Sequence, residues 1–351
     1  MGSIAPTGPA VIGGANTHRY LHMAAVVDAE GRVLGVEAFS TTRAGYRAML
    51  AWMCDHGDLL RVGVESTGSY GAGLTRHLAL SGVPVLEVTG PNRVQRRARG
   101  KDDTLDAIEA PRAAASGQRV QVANDRTGAI EALLVLRTAR QSAIKVRRSV
   151  LQLLHSTIVA APDEVRDQLR NLTRMQLIRT CASWRPDVIA FRDPVVATKI
   201  SLRSIARRIL DVNDEIADLD RLIEPLVKEL APGLLAMQGV GTEIAGCLLV
   251  TAGDNPQRLR SEAGFAKLCG VAPIPASTGK SERHRLNRGG DRRANSALHM
   301  AAIVRMRQDE RTKAYVVRRL AEGLTKREII RCLKRYIARE VYRVLTAPTG
   351  T

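Results

Sequence analysis

Three short apolar runs open the chain and predict β-strands. They lie at Val11–Ala15, Leu21–Asp28 and Val33–Ser40. The second and third runs are joined by Glu30-Gly31-Arg32, a turn that predicts a hairpin. The sequence therefore predicts a meander of three strands at the start of the first domain.

Apolar residues take up helical spacing after the third run. Met49 and Met53 share one face of a helix predicted over Thr42–His56. The elements predicted next are a strand at Leu60–Glu65, a helix at Ala72–Leu80 and a strand at Val83–Val88. A meander followed by alternating strands and helices is typical of an RNase H-like mixed sheet, although a generic α/β domain shares the pattern.

The strand pattern stops at about Gly128 and stays absent up to Pro232. A long helix is predicted over 128–160, with basic residues at Arg137, Arg140, Lys145, Arg147 and Arg148. A second helix carries a heptad seam of apolar residues at Leu202, Ile205, Ile209, Val212, Ile216, Leu219 and Ile223. The seam fits a hairpin within one chain and an intermolecular coiled coil equally well. In the second case it contributes to a dimer or a higher homo-oligomer.

A compact helical domain is predicted beyond Pro232. Residues 234–245 are predicted as a helix, a Gly-x-Gly turn at Gly239 and Gly241, and a second helix. Backbone N–H groups at a helix N-terminus can hold a phosphate, as in the helix-hairpin-helix elements that grip DNA backbones. A plain helix–turn–helix connection would have the same pattern.

The charge balance points to a class of partner. Lys and Arg number 53 against 35 Asp and Glu among 351 residues, which gives a formal net charge of +18. Such an excess attracts polyanions, and DNA or RNA is the commonest of them. A protein that is merely basic is the alternative. A membrane surface is disfavoured, because the basic residues are spread along the chain rather than placed beside an apolar anchor.

Other features of the sequence bear on location. No apolar run reaches the length of about 18 residues that spans a membrane, and the first residues lack the pattern of a secretory signal. The five cysteines are scattered and have no zinc spacing. We therefore expect a cytoplasmic protein without a membrane partner.

Carboxylates in the first domain are candidate metal ligands. Glu65 ends an apolar strand and is followed by small residues, while Asp103 and Asp106 lie three apart at the start of a predicted helix. Crowded carboxylates repel one another unless a divalent cation lies between them, and Mg²⁺ pairs are the usual device for cutting or joining phosphodiesters. The alternative is that both aspartates merely favour the positive end of a helix dipole. A fourth ligand is expected at the end of the first strand, where Asn16 offers a neutral amide oxygen.

A hydroxyl-bearing loop is the second candidate for chemistry. Ser277 and Thr278 lie in the segment Pro273–Lys280, which is followed by a cluster of basic residues. Such a loop suits a nucleophile that attacks a phosphate whose charge the arginines offset. It equally suits a loop that only grips phosphate. The candidate nucleic-acid-binding residues are Lys101, Gly239, Gly241, Lys280, Arg283, Arg285, Arg288, Arg292 and Arg293.

Four segments together resemble the DEDD transposases of the insertion-sequence 110 family, relatives of the Piv DNA invertases. These segments are Val62–Tyr70, Gly100–Ala107, Ser277–Lys280 and Asn287–Arg292. The resemblance implies a RuvC-like RNase H-fold domain over 8–125, a helical or coiled-coil connector over 126–230 and a mainly α-helical C-terminal transposase domain over 231–346. It also implies DNA partners (the element ends and the target), a guide RNA as in bridge-RNA-guided recombinases, and a multimeric assembly.

The resemblance also assigns roles to residues. The acidic tetrad maps onto Asn16, Glu65, Asp103 and Asp106, which implies Mg²⁺ or Mn²⁺ as cofactor. A serine nucleophile that links covalently to DNA falls on Ser277, with Thr278 as the slower alternative. Two residues depart from the family pattern, namely Asn16 in place of an acid and Thr278 in place of serine. With Pro111, expected to kink the helix of Asp106, they raise the possibility of a decayed, inactive copy.

The sequence thus predicts a transposase or recombinase that cuts and rejoins DNA to move an insertion sequence. Glu65, Asp103 and Asp106 would hold the metal and Ser277 would attack the phosphodiester. Two alternatives stay open: a RuvC-like structure-specific nuclease, and a decayed transposase that only binds nucleic acid.

Overall fold

The computed structural model describes residues 8–88, 103–255, 258–276, 284–285, 287 and 289–347, with the backbone alone at 103–105. Two compact units emerge from the contacts between residues. The first joins Met1–Glu131 with Ala236–Thr351, and the second is Ala132–Leu235. Among the described helices, none is long and apolar enough to cross a membrane.

A mixed sheet forms the N-terminal part of the first unit. Its strands are β1 (Ala10–Thr17), β2 (Leu21–Asp28), β3 (Val33–Ser40), β4 (Asp58–Glu65), β5 (Val85–Val88) and β6 (Val120–Val122). Their spatial order is β3-β2-β1-β4-β5-β6. The pairs β1–β2, β2–β3 and β5–β6 are antiparallel, whereas β1–β4 and β4–β5 are parallel. The predicted meander followed by alternating strands and helices is therefore confirmed as a mixed α/β sheet.

One face of this sheet carries the main core of the unit. Helices α1 (Arg43–Asp55) and α2 (Ala72–Leu80) follow β3 and β4 in the chain. Met49 and Met53 of α1 are fully buried in a cluster with apolar side chains of the sheet, including Val62 and Val64. Met49 and Met53 are four residues apart and so lie on one face of α1, and burial of that face packs the helix against the sheet.

The opposite face of the sheet is covered by α3 (Asp103–Ser116). Gly14 of β1 and Gly63 of β4 allow the close approach. A Cβ on Gly14 would overlap the ring and nitrogen of Pro111, and one on Gly63 would lie 2.5 Å from the carbonyl oxygen of Ala110. Helix α3 continues past Pro111 to Ser116, so the proline does not end the helix, and the expected inactivity of this copy stays a prediction. The proline ring lies against a strand that has a glycine at the contact.

The second unit is helical. It contains most of α4 (Ala129–Val159), then α5 (Asp163–Leu169), α6 (Arg174–Ser183), α7 (Pro194–Leu230) and α8 (Pro232–Leu235). Arg140 of α4 pairs with Asp220 of α7, and Arg147 lies near Asn213. Because the residue numbers on α4 rise as those on α7 fall, the two helices form an antiparallel hairpin.

The heptad seam of α7 is buried against α4 and against the short helices α5 and α6 of the same unit. Ile209 is 1% exposed in a cluster with Val150 and Leu154 of α4, and Ile216 packs with Ala143. Of the two alternatives for the seam, the structure therefore contains the hairpin within one chain. The seam residues that are buried in this unit already have apolar partners within the chain, and the expected dimer or higher oligomer stays a prediction.

The C-terminal part of the first unit is a set of helices with a short hairpin. The helices are α9 (Thr242–Ala252), α10 (Glu262–Leu268), α11 (Arg292–Gln308), α12 (Glu310–Ala321) and α13 (Lys326–Thr346), and the hairpin pairs β7 (Ile274–Pro275) with β8 (His284–Arg285). Polar contacts join this part to the end of β6. The Asp254 amide donates to Asn124 Oδ1 at 3.0 Å, and Asn255 Nδ2 donates to the Ala123 carbonyl at 2.8 Å.

Candidate active site

Two candidate metal ligands lie side by side at one edge of the sheet. Asn16 is the penultimate residue of β1, and Glu65 is the last residue of β4. The parallel register pairs Ala15 with Val64, so Asn16 and Glu65 follow as neighbours. Side chains alternate between the two faces along a strand. Asn16 and Glu65 therefore share the sheet face of Gly14 and Gly63, which α3 covers.

The N-terminal end of α3 points to the same edge. Ala114 packs on Ile12 near the start of β1, and Pro111 lies against Gly14 further along that strand. The helix therefore runs antiparallel to β1, and its first turns lie toward Asn16. Asp106 is half-buried in those turns, and Asp103 begins the helix three residues earlier. The structure thus brings three candidate ligands to one edge of the sheet and the helix end bearing Asp103 to the same place.

The turn after Glu65 is held in a specific conformation. Thr17 Oγ1 donates to the carbonyl oxygen of Glu65 at 2.9 Å, which ties the ends of β1 and β4 together. Ser66 has a φ of +57°, in the left-handed region that non-glycine residues seldom adopt. The Ser66 carbonyl accepts from the amides of Ser69 and Gly71 at 3.0 Å and 3.2 Å. Such backbone strain is typical of functional sites, and here it lies beside a candidate ligand.

The donor set fits a hard divalent cation. An amide oxygen at Asn16 and carboxylates at Glu65, Asp103 and Asp106 are the ligands that Mg²⁺ and Mn²⁺ prefer. Asn16 is 6% exposed, so its amide is a buried polar group at the strand end. Where side chains are described, no three His, Cys, Asp or Glu residues group closely enough to hold a metal.

A cationic residue beside this turn had no signal in the sequence. The side chain of Arg126 lies beside Gly68: its Nη2 atom would be 3.4 Å from a Cβ atom added to that glycine. The Nη1 atom of Arg126 donates a hydrogen bond to the Glu131 carboxylate at 3.0 Å. Its backbone is also left-handed, with a φ of +57°. The Nε atom is buried and has no hydrogen-bond partner among the described residues. One arginine among many gives no pattern, so only the fold could bring Arg126 to the Glu65 turn.

The predicted nucleophile loop is described at its two ends. Pro275 of β7 pairs with His284 of β8, so the chain leaves and re-enters at one place. Arg285 on β8 is exposed. The residues Lys101, Ser277, Thr278, Lys280, Arg283 and Arg288 lie outside the described residues. The structure consequently leaves the predicted role of Ser277 and Thr278 untested.

The motif after this loop caps a helix. The Asp291 carboxylate accepts from the amides of Arg293 and Ala294, at 2.7 Å and 3.3 Å, at the start of α11. Its second oxygen accepts from the Thr251 hydroxyl at 3.0 Å. Arg292 and Arg293 are exposed at this helix start. An aspartate cap thus holds two basic side chains at the surface, where they can meet an anion.

The Gly-x-Gly element is a short helix, a turn and a longer helix. Gly239 has a φ of +77°, and a Cβ there would lie 3.1 Å from the Ala301 carbonyl oxygen. Arg305 Nε donates to the neighbouring Gln238 carbonyl at 2.8 Å. Gly241 precedes α9 and has open space around it. Gly239 is therefore required by conformation and packing, while Gly241 leaves the start of α9 accessible.

Comparisons with known proteins match both parts of the first unit. A family model for DEDD transposases of IS110, described as a transposase, matches residues 14–162. A second model, described as the transposase IS116/IS110/IS902 family, matches residues 231–317. Together the two models cover more than half of the chain and include the strand ends of Asn16 and Glu65. The chain belongs to the IS110 family of DEDD transposases.

Two relatives come from bacterial insertion elements. The insertion element IS110 uncharacterized 43.6 kDa protein of Streptomyces coelicolor is 33% identical over 129 residues, 36% of this chain and 32% of the relative. The insertion element IS900 uncharacterized 42 kDa protein of Mycobacterium paratuberculosis is 28% identical over 134 residues, 37% of this chain and 34% of the relative. The match thus spans about a third of the length of these relatives.

Proposed function

We propose that this protein cuts and rejoins DNA to move an insertion sequence, with a metal site at the sheet edge and a nucleophile in the loop after β7. The observation that carries the proposal is the convergence of Asn16, Glu65 and the N-terminal end of α3 on one face of the sheet. The family membership and the +18 charge support it.

The residues at the sheet edge would act as ligands. Glu65, Asp103 and Asp106 would hold Mg²⁺ or Mn²⁺ through carboxylate oxygens, and Asn16 through its amide oxygen. When bound, the cations would supply charge stabilisation for the phosphodiester in its transition state. Thr17 fixes the main chain of Glu65, which limits movement of that carboxylate. Arg126, next to the same turn, would offset the charge of an approaching phosphate.

The loop after β7 would supply the nucleophile. Ser277 Oγ would form a bond to phosphorus as its proton leaves, and the sugar oxygen of the broken P–O bond would depart protonated. Thr278 is the alternative at the same loop. Rejoining would reverse these steps with a different sugar oxygen, so the DNA-linked serine conserves the energy of the phosphodiester. By resemblance to bridge-RNA-guided recombinases, a structured RNA would select the DNA, and the chain would act as a dimer or tetramer.

A trapped adduct tests this function. Full-length protein is incubated with Mn²⁺, its guide RNA and DNA carrying the element ends, then denatured and analysed for protein covalently bound to DNA. The proposal expects an adduct that Ser277→Ala removes and Thr278→Ala weakens less. Metal-dependent nicking without an adduct would favour the RuvC-like nuclease, and binding without either would favour the inactive copy.

The inactive copy has one observation in its favour, the neutral Asn16 at the sheet edge. A missing carboxylate lowers the negative charge that balances the cations, so metal affinity falls. In that case the protein would bind nucleic acid through its basic surface without cleaving it. An adduct formed by the unmodified chain would contradict this second function.

A further inference from the structure

A cavity of about 510 Å³ lies beside the β7–β8 hairpin in the C-terminal part of the first unit. Binding sites for small ligands typically have volumes of about 300–1,000 Å³. The charged lining residues are Arg285, Arg319, Glu328, Arg331, Lys334 and Arg335, and His284 lies beside them. Pro273, Leu324 and Tyr336 add apolar and aromatic walls. Several of these residues belong to α13, which begins at Lys326. The second family model ends at residue 317 and therefore does not include them.

One cation is fixed deep in this cavity. Lys334 is 7% exposed, and its Nζ donates to Asn295 Oδ1 at 2.9 Å. Asn295 in turn donates to the Gly270 carbonyl at 2.7 Å, just before the hairpin. An ammonium has three donors, so this bond leaves donor capacity for a ligand. Burial, and to a smaller extent the positive charge of Arg331, lowers the pKa of Lys334 below its usual range. An anion bound in the cavity would stabilise the protonated ammonium and so raise this pKa.

The other cations divide into paired and unpaired groups. Arg319 pairs with Glu322, and Arg335 pairs with Glu262. Within the part of the chain that the structure describes, no carboxylate forms an ion pair with Arg285, Arg331 or Lys334. The carboxylate on the lining, Glu328, accepts from the Thr325 amide at 2.9 Å in the cap of α13. Among the described residues, the lining of the cavity therefore carries more cations than carboxylates, and three of these cations have no ion pair.

The combination of cations, apolar surface and one tyrosine ring matches a nucleotide. A phosphate suits the three uncompensated cations. A base suits the face of Tyr336, which is 45% exposed, together with Leu324. The cavity opens to solvent, and its volume of about 510 Å³ is suited to a single nucleotide. We propose that this cavity receives one unpaired nucleotide of the DNA substrate, with its phosphate on Arg331 and Lys334 and its base on Tyr336. This inference rests on the proposed function.

A binding preference tests the cavity. Full-length protein is titrated, in chelator and at one fixed salt concentration, with a DNA duplex that carries a single bulged 2-aminopurine nucleotide. The reference is the same duplex fully paired. The wild type is expected to bind the bulged duplex about tenfold more tightly, since a charge-assisted contact and base stacking are added. Arg331→Gln and Tyr336→Leu are each expected to remove most of that preference.

The matched control is Arg327→Gln, which removes the same charge one helical turn earlier on α13. Arg327 is exposed and does not line the cavity. This variant should therefore lose the same fraction of its affinity for the bulged and for the fully paired duplex, so that the ratio of the two affinities stays as in the wild type. Equal binding of the two duplexes by the wild type would overturn the proposal. Equal loss of preference in Arg331→Gln and Arg327→Gln would overturn it as well. Because no strand is cut in chelator, failure here is separate from failure of the adduct experiment.

Discussion

At the scale of single residues, Asn16 sets the net charge of the ligands in the proposed metal site. Its amide oxygen can coordinate a cation, but it adds no negative charge beside Glu65. Thr17, the next residue, holds the Glu65 main chain through a 2.9 Å hydrogen bond. In the proposed site, Asn16 therefore has the place of a ligand but a neutral side chain. The sequence alone identified Asn16 and Glu65, whereas their shared face required the register of β1 with β4.

Restoring the acid should strengthen metal binding. Asn16→Asp is expected to tighten Mn²⁺ binding by about tenfold, because ligand charge is one of the factors that set affinity at oxygen-ligand sites. Calorimetric titration of the two proteins measures the difference. Glu37→Asp, a length change at an exposed carboxylate on β3, serves as the control and should leave the affinity unchanged. An Asn16→Asp protein with unaltered affinity would argue against this strand end as a ligand position.

At the scale of elements, two glycines determine how closely α3 lies on the sheet. Gly14 and Gly63 face Pro111 and the Ala110 carbonyl, so neither strand has room for a Cβ at that point. A proline within a helix usually kinks or breaks it, and no sequence pattern indicates which strand residue will lie against the proline ring. Likewise β6, with three residues, was too short to be recognised from its pattern. Longer runs such as Leu21–Asp28 were predicted at their observed bounds.

A methyl group at Gly14 should therefore destabilise the N-terminal part. Gly14→Ala is expected to lower the free energy of unfolding by about 1–3 kcal/mol, the usual cost of overpacking. Denaturant unfolding followed by circular dichroism measures the change. Gly241→Ala is the control, since its Cβ would meet open space and its φ is ordinary. Equal stability of Gly14→Ala and the wild type would show that α3 does not pack as described.

The α4–α7 hairpin gives a second prediction at this scale. Ile209→Asp should unfold the helical unit, because it places an unpaired charge in a closed core. Leu222→Asp on the same helix should be tolerated, since Leu222 is 56% exposed. Helix content by circular dichroism and mass by light scattering are recorded together. If the wild type is an oligomer and the Ile209→Asp variant is a folded monomer, the seam forms contacts between chains, and the packing described here is contradicted.

At the scale of the whole molecule, the net charge of +18 is the property that bears most on the proposed interaction with nucleic acid. The excess of Lys and Arg was evident from the sequence, but pairing within the fold decides which charges remain available. Arg140 is committed to Asp220, whereas Arg292 and Arg293 are exposed at the start of α11. Lys334 could not be recognised from sequence, because its burial depends on packing between α11 and α13. Assignment of the three domains and of the oligomeric state stays a prediction.

Backbone contacts should make binding strongly salt-dependent. The logarithm of DNA affinity is expected to fall linearly with the logarithm of salt concentration, with a slope of about −0.9 for each phosphate contacted. The double variant with Arg292→Gln and Arg293→Gln should lose up to about two phosphate contacts, and its slope should be shallower by the corresponding amount. Fluorescence anisotropy across a salt series measures both slopes. A flat response in the wild type would contradict the view that the basic excess serves nucleic acid.

In the proposed metal site Glu65 and Asp106 hold the same cation, and a double-mutant cycle of Mn²⁺ binding shows whether they do. Glu65→Gln, Asp106→Asn and the double variant are titrated by calorimetry beside the wild type, with Glu37→Gln as the control. Each single variant is expected to weaken binding strongly, and the double variant to lose much less than the sum of the two losses, because both ligands serve one site. Wild-type affinity in either single variant, or strictly additive losses, would contradict the site.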